Sequence, residues 1–193
     1  YSGGNYLPNI SFKALAMETA VLEPTGITAR EYQRKIAETA LTGNTLVVLP
    51  TGLGKTIIAL LVAVKRLSLF PASKVLVLAP TRPLVLQHFR FFKDHISNEI
   101  ETVVLTGEVA PETRAIRFEN SRLVFATPEV IRNDVSEGRY RLNSICLVVF
   151  DEAHRCVRDY AYTEVAGEYK RAASNPLIMG LTASPSARKT RID

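Results

Sequence analysis

The chain of 193 residues is 47% hydrophobic and 22% charged, with a formal net charge of +5, which is ordinary for a soluble globular protein of one domain. No run approaches eighteen uncharged apolar residues and the N-terminus lacks a secretory signal pattern, so we expect neither a membrane-spanning helix nor a membrane partner. The positive charge is compatible with a polyanionic partner, although solvated surface charge explains it equally well. Cys146 and Cys156 lack the spacing of metal ligands, which favours reduced thiols in an intracellular protein.

Most of the chain alternates between helical and strand-like segments. Residues 1–25 mix Gly, Pro, Ser and Asn and are predicted to form an extended arm. The predicted helices are 29–41, 55–68, 82–95, 111–119, 128–136 and 159–173. The predicted strands are 45–49, 75–79, 102–106, 122–126, 146–150 and 177–181. Short apolar strands alternating with helices predict an α/β fold with a mainly parallel sheet that helices cover on both faces.

The first predicted strand ends in a turn that is typical of a phosphate-binding loop. Residues 50–56 read Pro-Thr-Gly-Leu-Gly-Lys-Thr and stand between an apolar run and an apolar helix, the context that such a loop requires. Its backbone N–H groups and the helix N-terminus would form an anion site. Lys55 would reach the β- and γ-phosphates, and the Thr56 hydroxyl would bind Mg²⁺. The residues that would hold the triphosphate are Thr51, Gly52, Leu53, Gly54, Lys55 and Thr56.

The loop departs from the strict pattern at one position. Leu49 stands where the first Gly would be. The alternative interpretation is therefore a helix-initiating turn with a surface lysine.

Small hydroxyl residues and turns follow several of the other predicted strands. Thr81 with Arg82, Gly107 and Thr127 each stand at such a position. In open α/β sheets, ligands bind outside the carboxyl ends of the strands, where hydroxyls and helix N-termini can contact phosphates. One threonine alone would more simply be a helix N-cap, but several at one edge favour a binding function.

Two adjacent acids follow the strand 146–150. Asp151 would hold Mg²⁺ together with Thr56, and Glu152 would position and deprotonate an attacking water. The alternative is that both acids cap the following segment. His88 and His154 are ambiguous by themselves, and zinc chemistry is disfavoured because the three histidines and two cysteines lack ligand spacing.

These motifs, in this order, resemble the first RecA-like domain of superfamily two helicases. Residues 30–33 resemble the Q-type motif, 50–56 motif I, 79–88 motif Ia, 126–129 motif Ib, 151–154 (Asp-Glu-Ala-His) motif II and 182–184 motif III. Within that superfamily, Leu-Pro-Thr-Gly-Leu-Gly-Lys-Thr, Asp-Glu-Ala-His-Arg and Tyr-Ala-Tyr are similar to the archaeal Hef and Fanconi anaemia M family. Ser186 stands where a Gly is common in that family.

The resemblance implies a RecA-like P-loop NTPase fold, a three-layer α/β/α sandwich, with ATP and Mg²⁺ as ligands and DNA as partner. It implies that Gln33 binds the adenine edge, that Arg30 packs on the adenine face, and that Glu152 is the catalytic base beside Lys55. The residues implied to couple nucleotide and nucleic acid are His154, Thr182 and Ser184. The residues implied to contact the nucleic-acid backbone are Thr81, Arg82, Gly107 and Thr127. The strand ending at Thr182 should lie between those ending at Pro50 and Asp151, with Ser184 near the γ-phosphate.

The resemblance also predicts how the chain is organised. Residues 26–186 would form the helicase ATP-binding domain, and 187–193 would begin a linker to a second RecA-like domain. That second domain carries the arginine fingers of the family, so we expect the present residues alone to hydrolyse ATP slowly. The implied whole is an ATP-dependent DNA helicase or translocase acting on branched or forked DNA, intracellular and archaeal.

Other functions stay open on the sequence alone. An RNA-directed ATPase resembling Dicer or the RIG-like sensors shares several of these motifs. A nucleotide-gated binding module without hydrolysis would not need both Glu152 and Thr56. A P-loop transporter or chaperone ATPase would leave the Pro-Thr-Arg-Pro and Thr-Ala-Ser stretches unexplained.

Overall fold

A computed structural model describes residues 23–157 and 160–183. The described helices are α1 (Glu31–Leu41), α2 (Lys55–Leu69), α3 (Arg82–His95), α4 (Pro111–Asn120), α5 (Pro128–Ser136) and α6 (Tyr160–Ala172). The described strands are β1 (Thr45–Val48), β2 (Lys74–Leu78), β3 (Thr102–Leu105), β4 (Leu123–Ala126), β5 (Ile145–Phe150) and β6 (Ile178–Thr182). Each predicted element is confirmed to within two residues at either end. The sequence missed a 3₁₀ turn, Ala153–Val157, which directly follows the acidic pair.

The six strands form one sheet in the order β1-β6-β5-β2-β4-β3, and every neighbouring pair is parallel. The predicted α/β fold with a parallel sheet is therefore confirmed. The predicted place of β6 between β1 and β5 is confirmed as well. All strands consequently end at one edge of the sheet, which we call the carboxyl edge.

Two hydrophobic cores lie on opposite faces of the sheet, because successive side chains of a strand point to opposite sides. Val75 and Val77 of β2 pack in the core beneath α1, α2 and α3. Leu76 and Leu78 of the same strand pack in the core beneath α4, α5 and α6. The strands β2, β4 and β5 are buried along their whole length, which explains their continuous apolar sequences. This arrangement is a three-layer α/β/α sandwich.

Two features near the strand β5 show how polar groups are accommodated in the core. The Arg66 side chain, on α2, donates hydrogen bonds to the backbone carbonyl of Cys146 at 2.9 and 2.6 Å. Cys146 is a free thiol, in agreement with the predicted reduced state, and its burial raises the pKa of that thiol. The arginine therefore satisfies a carbonyl at the amino end of β5 that the sheet leaves available.

A buried ionic cluster fastens α4 to α5. The Asp134 side chain is fully buried and accepts hydrogen bonds from Arg114 at 2.7 and 2.5 Å, from Arg139 at 2.7 Å and from Tyr140 at 3.1 Å. Arg114 also donates to the carbonyl of Val109 at 2.5 Å. The cluster thus ties the loop after β3 to the helix that follows β4.

The predicted arm (1–25) and linker (187–193) lie, except for residues 23–25, outside the described residues. Among the described residues, no helix combines the length and the apolar character that crossing a bilayer requires.

The buried cluster generates a stability prediction. Asp134→Asn removes the carboxylate charge while two arginines stay beside it, so the free energy of unfolding should fall by about 3 kcal/mol near neutral pH. The exposed Asp94→Asn on α3 is the matched control and should change it by less than about 0.5 kcal/mol. Urea unfolding of the three proteins measures both effects, and equal losses for the two variants would contradict the assignment.

The same cluster sets the direction of its pH dependence. Burial alone would raise the pKa of Asp134, but the hydrogen bonds from Arg114 and Tyr140 outweigh it and hold that pKa below its usual 3.8. A carboxyl with a lowered folded-state pKa stabilises the protein above its unfolded pKa, and this contribution is lost as the pH falls through the folded value. The difference between wild type and Asp134→Asn should therefore shrink as the pH falls below 3.8.

Candidate active site

The loops that leave β1, β5 and β6 meet at the carboxyl edge, because these three strands are neighbours in the sheet. Val48 of β1 is in register with Thr182 of β6, and Phe150 of β5 is in register with Gly180 of β6. The phosphate-loop sequence follows β1, and the acidic pair follows β5. Parallel pairing therefore brings together segments that are a hundred residues apart in the chain.

The loop between β1 and α2 has the backbone that a phosphate-binding loop requires. Gly52 and Gly54 have φ angles of +86° and +76°, in the left-handed region that favours glycine. α2 begins at Lys55, immediately after Gly54, so the N-terminus of this helix faces the loop. The Lys55 ammonium group folds over the loop and donates to the carbonyls of Leu49 at 2.9 Å and Pro50 at 3.4 Å. The lysine is therefore held at the loop and is not a freely solvated surface residue.

The first turn of α1 is attached to this loop. Gln33 is buried, and its Nε2 donates to the Leu53 carbonyl at 3.3 Å while its Oε1 accepts from the Arg30 N–H at 2.8 Å. The Tyr32 hydroxyl donates to the same Leu53 carbonyl at 2.8 Å. A Cβ atom on Gly54 would lie 2.3 Å from Gln33 Nε2, so only glycine permits this approach.

Asp151 is fixed by three hydrogen bonds to three different elements. Its N–H donates to the Leu78 carbonyl of β2 at 2.8 Å, and its carbonyl accepts from the Tyr162 hydroxyl of α6 at 2.9 Å. Its carboxylate Oδ2 lies 2.8 Å from Nε2 of His88 on α3. Both side chains of that pair are more than nine-tenths buried, at 7% and 9% exposure.

His88 is a site residue that sequence reasoning did not assign. It occupies the buried stripe of α3 with Val85 and Phe92. A polar residue on an otherwise apolar helical stripe was the available signal, because a buried imidazole requires a hydrogen-bond partner.

Glu152 and His154 lie beside the end of β6. Glu152 has a φ of +51°, a left-handed conformation that is unusual for a residue with a side chain. The His154 Nδ1 atom lies 3.2 Å from Glu152 Oε2 and 3.1 Å from the Thr182 hydroxyl. Gly180 makes this possible, because a Cβ there would lie 3.1 Å from Ala153 Cβ at the start of the 3₁₀ turn. The structure thus brings together His154 and Thr182, whereas Ser184 lies outside the described residues.

The predicted nucleic-acid contacts occupy the other half of the carboxyl edge. Thr81 and Arg82 follow β2, Gly107 follows β3 and Thr127 follows β4, and these three strands are also neighbours in the sheet. Thr81, Arg82 and Gly107 are exposed. The Arg82 guanidinium pairs with the Glu108 carboxylate. The sheet therefore presents two adjacent sets of loops, one with the lysine and acids and one with hydroxyl and glycine residues.

Comparison with known proteins identifies a family for this arrangement. Residues 30–192 match the family described as DEAD/DEAH box helicase. Among solved structures, the helicase domain of Hef from Pyrococcus furiosus is similar with a TM-score of 0.78 and 48% sequence identity. That match covers 83% of this chain and 34% of the Hef chain.

Curated relatives give the same result. The "Putative ATP-dependent RNA helicase MJ1505" of Methanocaldococcus jannaschii is 42% identical over 172 residues, which cover 89% of this chain and 22% of that protein. The "DEAD-box ATP-dependent DNA helicase Fancm" of Drosophila melanogaster is 43% identical over 172 residues, covering 84% and 11% respectively. The chain therefore spans less than a quarter of the length of these relatives.

Proposed function

The chain belongs to the DEAD/DEAH box helicase family, and we propose that it is the ATP-binding half of an ATP-dependent DNA helicase or translocase that acts on branched or forked DNA. The observation that carries this proposal is the meeting of Lys55, Asp151, Glu152 and Thr182 at the ends of three adjacent parallel strands. The similarity to Hef and Fancm supports the choice of this helicase type. Residues 26–186 form the proposed domain.

The nucleotide is proposed to bind across the loop 51–56. The triphosphate lies on the backbone N–H groups of the loop, and the Lys55 ammonium group exchanges its two carbonyl partners for phosphate oxygens. The base lies towards α1, with Gln33 at its edge and Arg30 at its face. Since Gln33 also donates to Leu53, recognition of the base and the shape of the phosphate loop are linked through one side chain.

The donor atoms that residues place at the carboxyl edge are of the kind that binds Mg²⁺. The Thr56 hydroxyl and the Asp151 carboxylate are oxygen ligands of the kind that Mg²⁺ prefers, and one carboxylate suffices because the ion keeps several waters. His88 engages Asp151 Oδ2, so Oδ1 is the oxygen that a cation can take without displacing the histidine. When bound, Mg²⁺ would neutralise part of the negative charge of the phosphates.

Glu152 is the proposed catalytic base. It follows Asp151 directly, and its left-handed backbone turns the chain at the end of β5 so that its carboxylate lies next to His154. A carboxylate at this position can accept the proton of the attacking water. The left-handed conformation costs roughly 1–2 kcal/mol, and backbone held in this way is typical of functional sites, which favours hydrolysis over a nucleotide-gated module.

The second half of the edge is the proposed DNA-binding surface. Thr81, Arg82, Gly107 and Thr127 present hydroxyl, guanidinium and backbone donors, which contact the sugar–phosphate backbone and do not read sequence. His154, Thr182 and Ser184 are proposed to couple this surface to the nucleotide. A second RecA-like domain is proposed to complete the site in the longer protein. A DNA substrate favours an intracellular protein, and the archaeal relatives favour an archaeal source.

The lysine of the loop gives the direct test of nucleotide binding. Lys55→Ala should abolish ATP binding by the 193-residue chain in titration calorimetry, because it removes the cation that meets the β- and γ-phosphates. The matched control is Lys35→Ala, since Lys35 is exposed on α1 and its ammonium group pairs with the exposed Glu31. An ATP affinity of Lys55→Ala equal to that of the control would reject the nucleotide site.

An RNA-directed ATPase is the second candidate, because the Methanocaldococcus relative carries the name of an RNA helicase. The full-length protein decides between them. We expect forked DNA to stimulate its ATP hydrolysis at least about tenfold more than double-stranded RNA of equal length, measured at one salt concentration because backbone binding is salt-dependent. Greater stimulation by the RNA would favour the second candidate.

A further inference from the structure

The contact between His88 and Asp151 joins two parts of the site that the sequence separates by 63 residues. His88 lies in the middle of α3, and Asp151 lies at the end of β5. The Nε2 to Oδ2 distance is 2.8 Å, and neither side chain is more than a tenth exposed. A hydrogen bond with this geometry and burial holds a carboxylate in one rotamer.

The second ring nitrogen of His88 indicates why an imidazole occupies this position. His88 Nδ1 is buried and has no hydrogen-bond partner among the described residues. An ionised Asp151 carboxylate can only accept a hydrogen bond, so His88 Nε2 is the donor to Oδ2. An apolar side chain would fill this place on the α3 stripe without leaving a polar atom unsatisfied. The bond to Asp151 is therefore the contact that offsets the cost of burying a histidine here.

We propose that His88 is a positioning residue, which orients the Asp151 carboxylate so that its other oxygen serves the Mg²⁺ that accompanies ATP. The inference rests on the proposed function, since it concerns the metal ligand of that site. Residues that hydrogen-bond to a metal ligand, without touching the metal, commonly contribute ten- to a hundredfold to metal affinity. His88 acts through Asp151 and touches neither nucleotide nor water in this role.

The placement of His88 has a consequence for coupling. α3 begins at Arg82, directly after Thr81, and these are the residues proposed to contact DNA. His88 is the seventh residue of the same helix. One rigid element thus meets the DNA-binding surface at its N-terminus and holds the metal ligand two turns later.

Three substitutions separate this role from a purely structural one. Gln Nε2 stands the same number of bonds from Cα as His Nε2, so His88→Gln keeps a donor for Asp151. Asn carries the same amide one carbon closer to the backbone and cannot reach it, so His88→Asn is the matched partner. His88→Leu removes the donor and fills the same space on α3 with an apolar side chain.

The measurement is the nucleotide dissociation constant of the 193-residue chain, taken once with Mg²⁺ and once with EDTA. In wild type, we expect Mg²⁺ to tighten binding of a fluorescent ATP analogue. His88→Asn and His88→Leu should lose about tenfold of this Mg²⁺-dependent gain, while His88→Gln keeps most of it, and all should bind alike in EDTA. A structural role would instead weaken binding in both buffers in proportion to lost stability.

The outcomes distinguish this inference from the proposed function. If wild type binds no nucleotide, or shows no gain from Mg²⁺, the proposed function fails. If wild type shows the gain and His88→Asn retains it in full, the positioning role alone is overturned. Should His88→Leu not fold, as thermal unfolding in EDTA would reveal, the Gln and Asn pair still decides the question.

Discussion

The parallel pairing of β1, β6 and β5 is the constraint on which the site depends. Among the described strands, β1 is the first in sequence and β5 and β6 are the last two. In the sheet, β6 lies between β1 and β5. Because parallel strands end at the same edge, this order places Lys55, Thr182 and Asp151 side by side without any contact between their loops being required. A shift in the register of β6 would therefore move the loop that carries Lys55 relative to the acids that follow β5.

The strand order divides the carboxyl edge into two halves with different residues. Its β1, β6 and β5 half carries the charged residues proposed for ATP and Mg²⁺, and its β2, β4 and β3 half carries the residues proposed for DNA. The halves meet where β5 adjoins β2, at the hydrogen bond from Asp151 N–H to the Leu78 carbonyl and at the His88 contact. A movement of α3 would therefore reach Asp151, the proposed metal ligand, through His88.

The positions of the helices and strands could be predicted from the sequence, because apolar periodicity is a local pattern. The loop at 50–56 and the acidic pair could be recognised because each is a contiguous motif. The 3₁₀ turn Ala153–Val157 and the left-handed Glu152 were not predicted, because both lie where the chain passes close to Gly180, a neighbour only in the folded sheet. The bonds of Gln33 to Leu53 and of His88 to Asp151 join residues 20 and 63 positions apart, and only the assembled sheet shows that they meet.

The edge formed by β1, β6 and β5 is the proposed ATP site, with its cation at Asp151. A crystal structure of the chain with Mg²⁺ and a non-hydrolysable ATP analogue would show whether the nucleotide and the cation bind there. We expect the triphosphate on the loop 51–56, the Lys55 ammonium group on phosphate oxygens and no longer on the Leu49 carbonyl, and the cation between Thr56 and Asp151. A nucleotide bound elsewhere, or a triphosphate at the loop with Lys55 still on Leu49 and no cation near Asp151, would exclude this site.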